Sequence, residues 1–295
     1  MPKLHKIKTY FEKYFGYKVF KNYNIFSYNF FDYFLKKKIR KNIKSDFIRN
    51  FINEGFNILS IDNSDFVKKL DLELQKQNLS PNEKMFCNFE FNEKIKEIIR
   101  YYLENNFKEN LEELKNYYNS EIFVSNVRLK RNYFSEKAKD IELYNNFYHN
   151  DAYIFTHFKL FVNLMDMTED MGPTHVFSIN DTKKIVKMSK SFVRNDNIEN
   201  LDLKIKPYKH TGPKGKSFLC LTSKCLHKAG VPSQNKYRDY LIITFVANPK
   251  IKSNDLFYFE NEFANSIWNG DAALTTKLAK PYGYKKLYNF YQSFK

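Results

Sequence analysis

The spacing of apolar residues changes near residue 121, and the change separates two kinds of structure. Between 64 and 118 apolar residues recur at intervals of three and four. Phe66 and Leu70 form one such set, and Ile95, Ile98, Ile99, Tyr102 and Leu103 a second. Leu111, Leu114, Tyr117 and Tyr118 form a third. Each set lines one face of a helix, and Ser64 is placed to cap the first. Beyond 121 the period falls to two. Val127 and Leu129 alternate with Arg128, Lys130 and Asn132, the pattern of a strand with one polar face. Strand-like runs follow at 147–166, 173–177, 203–208, 216–222 and 237–247, with a short helix from Asp181 through Lys190. Helices first and then mostly strands, with no internal repeat and no low-complexity linker, predict one α+β domain with a β-barrel or jelly-roll core.

Composition adds a bias rather than a class. Hydrophobic residues make up 43% of the 295 and charged residues 28%, which is enough for a packed core and excludes wholesale disorder. Aromatic residues reach 18%, with 30 Phe and 22 Tyr against one Trp. The net charge is +16, and residues 1–52 carry +10 of it from 13 Lys and Arg against 3 Asp and Glu. Such a balance suits an anionic partner or a lysine-rich, solvated surface. The first 52 residues interleave 15 Phe and Tyr with lysine and contain the charge run Lys36–Lys41. They read as a helical collar, with Phe11, Phe15, Phe30 and Phe34 turned onto the main domain. The alternative is an arm resting on an anionic membrane surface.

No uncharged run exceeds ten residues, too few to span a bilayer, and the N-terminus lacks the apolar core of a secretory signal. Three cysteines, Cys87, Cys220 and Cys225, form no metal-binding pair and no even disulfide set, so a cytoplasmic location is expected, with the inner membrane face as a peripheral one.

The second half carries the chemistry. In Tyr148-His149-Asn150-Asp151, residues two apart on an extended chain share a face, so His149 and Asp151 present an imidazole and a carboxylate side by side. His227 follows the apolar run Phe218–Leu221 and precedes a Gly/Pro turn. Together the three supply two histidines and one carboxylate, the donor set of non-heme Fe(II) oxygenases. Arg238 lies 11 residues farther on, in the run Tyr237–Ala247. A buried arginine needs an anion, and its planar fork suits the distal carboxylate of 2-oxoglutarate. His157 and His210 lack a carboxylate at ligand spacing and read as structural, His175 reads as a polar strand residue with a substrate-facing base as the alternative, and His5 lies in the N-terminal tail.

In this order the pieces from about 144 to 247 resemble the phytanoyl-CoA dioxygenase-like (PhyH-like) family of Fe(II)/2-oxoglutarate oxygenases. The pieces are His149-Asn150-Asp151, Gly172-Pro173 after an acidic turn, Gly215 opening a strand, His227-Lys228-Ala229-Gly230, and Arg238. The resemblance implies a double-stranded β-helix, cupin-like core with N-terminal helices packed on one sheet. It implies Fe(II) on His149, Asp151 and His227, 2-oxoglutarate on Arg238, and O2 as the third reactant. Arg128, Lys130 and Asn132 are expected in the same cavity, against 2-oxoglutarate or an anionic substrate. Because Asp151 keeps the carboxylate that related halogenases lack, hydroxylation or another oxidation is expected.

The organisation expected is a basic segment at 1–52 and an oxygenase domain at 53–295, the latter with a helical part at 64–118, a β core at 121–247 and an extension at 250–295. The expected partner is a small molecule, lipid or glycan precursor. Nucleic acid is disfavoured, because nucleic-acid demethylases of the superfamily carry a second Arg on the last strand, whereas here position 244 is Thr and no Arg follows Arg238. The other class of function left open is a catalytically silent barrel that binds membrane or nucleic acid.

Overall fold

The computed structural model describes residues 45–151, 157–189, 198, 204–248, 251–260 and 267–268. The proposed collar aromatics, the run Lys36–Lys41 and most of the extension from 250 onward lie outside the described residues.

Helix α1 (Asp46–Glu54) begins the described chain, with the Ser45 hydroxyl accepting from the Ile48 amide at 3.2 Å. It runs through position 52, where the domain boundary was expected, and buries Phe51 and Ile52 in the core. After β1 (Phe56–Leu59) comes α2 (Ser64–Leu74). Its cap position is held by Asn63 rather than Ser64, which is already the first helical residue and donates its amide to Asp62 at 2.9 Å. Strand β2 (Phe86–Asn88) precedes α3 (Glu93–Tyr101), which Asn92 caps through the Ile95 amide. A π-helical turn, Tyr102–Asn106, then leads into α4 (Lys108–Tyr118). That turn shifts the helical register by one residue and keeps Tyr102, Leu103 and Phe107 fully buried.

The β core follows as β3 (Ile122–Tyr133), β4 (His157–Asn163), β5 (Thr174–Val176), helix α5 (Ile179–Ser189), β6 (Tyr208–Lys209), β7 (Ser217–Cys220), β8 (His227–Ala229) and β9 (Tyr237–Ala247). The last strand coincides with the expected run. β4, β5 and β7 are shorter than the runs expected for them, β6 meets the run 203–208 at Tyr208, β3 extends past Val127–Asn132 at both ends, β8 lies outside the expected runs, and the helix starts two residues before Asp181. Ser178 caps it, accepting from the Asp181 amide at 3.1 Å. Six strands form one antiparallel sheet in the order β1-β7-β4-β9-β3-β2, and three form a second in the order β6-β5-β8.

Period-two alternation sets the two faces of the large sheet. Val127, Leu129, Phe158, Leu160, Val162, Leu241, Ile243 and Phe245 pack outward against the helices in one continuous core. Aromatics dominate that layer: Phe158 stacks on Tyr118 and Phe245 and meets Phe51 edge-on. The alternate residues face the smaller sheet, where Phe161, Val176, Ile179, Phe218 and Cys220 form a second cluster. The helices therefore cover one sheet of a double-stranded β-helix, and the polar residues of β3 are left facing the space between the sheets. No helix among the described residues is long and apolar enough to cross a membrane.

Candidate metal centre and its cavity

His149 and His227 are joined by an isolated antiparallel bridge. Each donates its amide to the other's carbonyl, at 3.0 and 2.9 Å. That reciprocal pairing, rather than a long strand at 147–166, places the two imidazoles 4.4 Å apart between ring centres. Two residues on, the Asp151 amide donates to Thr222 O at 2.9 Å and turns the carboxylate to the same side. One ligand atom from each of His149, Asp151 and His227 lies within 4.8 Å of the others. Both histidines are buried, and the Asp151 side chain is 13% exposed.

The tautomers are fixed by backbone. Nδ1 of His149 lies 2.9 Å from Phe147 O, and Nδ1 of His227 lies 3.0 Å from Cys225 O. A carbonyl only accepts, so each Nδ1 carries the proton and each Nε2 carries the lone pair. Orientation of a ligand imidazole through its far nitrogen is how metal-binding histidines are held. Two imidazole nitrogens and one carboxylate oxygen gathered within reach of one ion suit Fe(II). The chemistry of this chain's donors therefore fits the metal.

Lys159, on the inner face of β4, went unnoticed in the sequence. Its Nζ lies 2.6 Å from Asp151 Oδ2 and its side chain is 7% exposed. Burial alone would raise the Asp151 carboxyl. The Lys159 ammonium, helped by His227 and His149, outweighs it and holds the carboxyl well below the usual range. Burial draws Lys159 below its ordinary value in turn, against the pull of Asp151. The available signal was parity: Lys159 is the charged residue at an inward position of an otherwise apolar stretch.

Arg238 is 2% exposed. It reaches from β9 to the smaller sheet, where Nη1 donates to Gly172 O at 2.7 Å and to Thr174 Oγ1 at 3.3 Å, and its guanidinium lies over the Tyr240 ring. Among the described residues no carboxylate lies within ion-pair distance of it. Its Nε is buried and makes no hydrogen bond. Asn132, directly opposite Arg238 in the β3–β9 register, is also fully buried, and its Nδ2 is likewise unbonded. Directly opposed residues share a face. Two orphaned donors therefore lie together, and one carboxylate would satisfy both. This fits the distal end of 2-oxoglutarate.

Two glycines keep this region closed. Gly172 has φ +68°, and a Cβ there would stand 2.5 Å from Val231 C; one on Gly230 would stand 2.4 Å from Pro173 O. The turn that receives Arg238 is thus pressed directly onto the turn that follows His227.

The remaining site expectations separate by position. Arg128 and Lys130 share the Asn132 face of β3 and line a cavity of about 420 Å3 with Tyr144 and Tyr240. His175 lines a neighbouring cavity of about 320 Å3, with its Nδ1 3.1 Å from the Tyr148 hydroxyl. His210 is buried between the Tyr208 hydroxyl and Lys216 O, each 3.1 Å away, in keeping with a structural role. His157 is buried on β4 and does not belong to the metal set.

No known family's sequence profile matches the chain. No curated protein matches it either. Solved structures do. HygX from Streptomyces hygroscopicus, determined with nickel, 2-oxoglutarate and hygromycin B, is 11% identical, with 70% of this chain and 88% of that one covered at a TM-score of 0.50. The epimerase SnoN from nogalamycin biosynthesis is 10% identical over 68% and 81% of the two chains, with a TM-score of 0.46. EctD from S. alaskensis, determined with 2-oxoglutarate and 5-hydroxyectoine, is 13% identical over 70% and 76%, with a TM-score of 0.45. At these identities the likeness is one of fold: the chain has the double-stranded β-helix architecture of HygX.

Proposed function

We propose that the chain is an Fe(II)- and 2-oxoglutarate-dependent oxygenase of the phytanoyl-CoA dioxygenase-like kind. It would hydroxylate or otherwise oxidise a small-molecule, lipid or glycan-precursor substrate, consuming O2 and releasing succinate and CO2. The observation that carries this reading is the convergence of His149, Asp151 and His227 within 4.8 Å inside the barrel. The orphaned donors of Arg238 and Asn132 support it. So does the fold shared with HygX, which was seen with nickel and 2-oxoglutarate.

His149, Asp151 and His227 hold the iron, which with bound 2-oxoglutarate supplies the oxidising chemistry. Arg238 and Asn132 fix the far carboxylate of the cosubstrate. The guanidinium, braced on Gly172 O, Thr174 and the Tyr240 ring, sets its direction. Phe161, Phe218 and Ile242 provide apolar walls that keep water away. Asp151 occupies the position that a halogenase leaves to chloride, so hydroxylation or a related oxidation is the reaction class.

The test is anaerobic titration of the protein with Fe(II) and 2-oxoglutarate. A visible metal-to-ligand charge-transfer band is expected. Absence of the band, with no heat of metal binding by calorimetry, overturns the reading.

A further inference from the structure

The inner face of the large sheet is a grid. The β4–β9–β3 registers align Lys159, Thr244 and Asn126 in one row, and Phe161, Ile242 and Arg128 in the next. Asn163, Tyr240 and Lys130 form the third, and Arg238 with Asn132 the fourth. Every row carries one cation. The first faces Asp151, and the last stands with Asn132 at the orphaned donors. The two middle cations, Arg128 and Lys130, have no carboxylate within ion-pair distance among the described residues.

Both middle cations line the cavity of about 420 Å3, and Lys84 lines it with them. Among the described residues Glu142 is the one acidic residue lining that cavity. Arg128 donates through Nε to Asn126 Oδ1 at 3.0 Å, which fixes its stem and leaves the rest of its fork for another acceptor. Lys130 holds its ammonium 4.4 Å above the Phe86 ring. The two residues leave the strand on one face, their backbone positions about 7 Å apart, the repeat of every second residue. Burial, and then the neighbouring Arg128 charge, push Lys130 down to about 8. A wall that disfavours its own second cation is stabilised by an incoming anion. Tyr144, Tyr240 and Phe86 give the same cavity apolar sides. Arg128 also stands in the row next to that of Lys159, so this wall runs toward the metal centre.

We propose that Arg128 and Lys130 form a binding site for an anionic group, a carboxylate or phosphate, on the substrate that this enzyme oxidises, separate from the 2-oxoglutarate site at Arg238 and Asn132. The inference rests on the oxygenase reading and narrows its substrate to anionic small molecules. Arg128 supplies a directional fork for two oxygens, and Lys130 supplies a point charge. The aromatic walls hold the body of the substrate.

The test uses the full chain loaded with Mn(II) and titrated by calorimetry, first with 2-oxoglutarate and then with inorganic pyrophosphate, and in a parallel arm with citrate. Arg128→Gln and Lys130→Gln are carried through the same titrations, with their melting temperatures recorded. In the loaded wild type at least one of the two anions binds. Each substitution weakens that binding by about tenfold or more, the effect of losing one charged hydrogen bond, while 2-oxoglutarate affinity stays within about twofold. Preference for one anion separates phosphate from carboxylate recognition. If 2-oxoglutarate itself fails to bind, the oxygenase reading falls. If it binds but neither anion does, or either anion binds equally to both variants, the anionic site is refuted. A fall in 2-oxoglutarate affinity in both variants assigns the wall to the cosubstrate and also overturns the proposal. Should a glutamine variant melt far below wild type, Arg128→Lys and Lys130→Arg replace the pair. These keep the charge, so a loss of fork-dependent affinity in Arg128→Lys alone is then the expected result, and unchanged affinity there refutes the site.

Discussion

The Lys159 ammonium stands 2.6 Å from Asp151 Oδ2 inside the barrel, so the carboxylate proposed as a metal ligand is already neutralised by a cation of the protein. A divalent ion entering the site must share or displace that partner. Lys159→Met keeps the length and removes the charge. Mn(II) is expected to bind the variant about tenfold more tightly, equivalent to roughly 1.4 kcal/mol. The metal-free variant should melt below wild type, because Asp151 then lacks its main counter-charge. Calorimetry with Mn(II) alone checks the first expectation, and unchanged or weaker binding excludes competition by Lys159.

Loss of any one donor from the triad should be seen in metal binding before activity is assayed. His149→Ala, Asp151→Ala and His227→Ala each remove one of the three atoms that converge within 4.8 Å. Each should weaken Mn(II) by about a hundredfold or more, at or beyond the range for disturbing even an outer partner of a ligand. Asp151→Ala also strips Lys159 of its counter-ion, so it should be the least stable of the three. A variant that keeps wild-type Mn(II) affinity removes that residue from the centre.

Substitution of Arg238 or of Asn132 should weaken 2-oxoglutarate binding by a route separable from stability. Arg238→Lys keeps a charge but loses the planar fork braced on Gly172 O, and should lower 2-oxoglutarate affinity by about 1.5–3 kcal/mol. Asn132→Leu removes an unbonded buried donor but also the Oδ1 that accepts from the Tyr240 hydroxyl at 3.4 Å, so the unliganded protein should change little in stability, while 2-oxoglutarate binds less tightly. Thermal melts with and without 2-oxoglutarate, with Mn(II) present throughout, separate the two effects. Unchanged 2-oxoglutarate affinity in both variants moves the anchor elsewhere, with Arg128 and Lys130 the next cations to test.

What could be read from the sequence was local. The period of two from Val127 to Asn132 placed the inward face of β3, and the uncharged run after Asp239 gave the body of β9. His149 and Asp151 were visible because a spacing of two needs no knowledge of the fold. Features set by distant partners were hidden. β1 and β2 are four- and three-residue pieces among helices, and they become strands only by pairing with β7 and β3. The bridge between His149 and His227 joins residues far apart in sequence. Lys159 meets Asp151 only through the pairing of distant strands, and the orphaned donors of Arg238 and Asn132 exist only in the packed state.

The contact between the two glycine turns should be a structural weak point of the site. Gly230→Ala would put a Cβ 2.4 Å from Pro173 O; the Cβ is fixed to Cα and the oxygen is backbone, so neither can rotate away. A loss of more than about 2 kcal/mol is expected, larger than an ordinary surface substitution. Because Gly172 O accepts from Arg238, the shifted turn should weaken 2-oxoglutarate as well. Chemical denaturation gives the first number and calorimetry the second. A wild-type midpoint would show that the turns can move apart without cost.

The last expectation concerns pH and a histidine outside the metal centre. His210 is 1% exposed, and its Nε2 donates to Lys216 O while Nδ1 faces the Tyr208 hydroxyl, so the neutral ring is fully bonded. Burial pushes it down to about 3, with Lys216 O opposing and the charges of Lys216 and Arg238 assisting. The unfolded chain takes up a proton near 6.5. Above that pH neither state is protonated and His210 adds no pH dependence. Below it the unfolded state gains a proton that the folded state refuses, so stability falls as pH drops from about 6.5 toward 3, by up to about 1.4 kcal/mol per unit. His175, also pushed down to about 3, by burial and then by Lys228 and Lys209, steepens the same limb. His210→Phe keeps the ring volume but leaves two buried polar partners unbonded. At pH 7 the variant should therefore be less stable by about 1–3 kcal/mol. Between pH 6.5 and 4 its stability should decline less steeply than that of wild type, and the two curves should converge. Parallel slopes in urea titrations at pH 7, 5.5 and 4 would show that His210 is protonated as readily in the folded state as in the unfolded one.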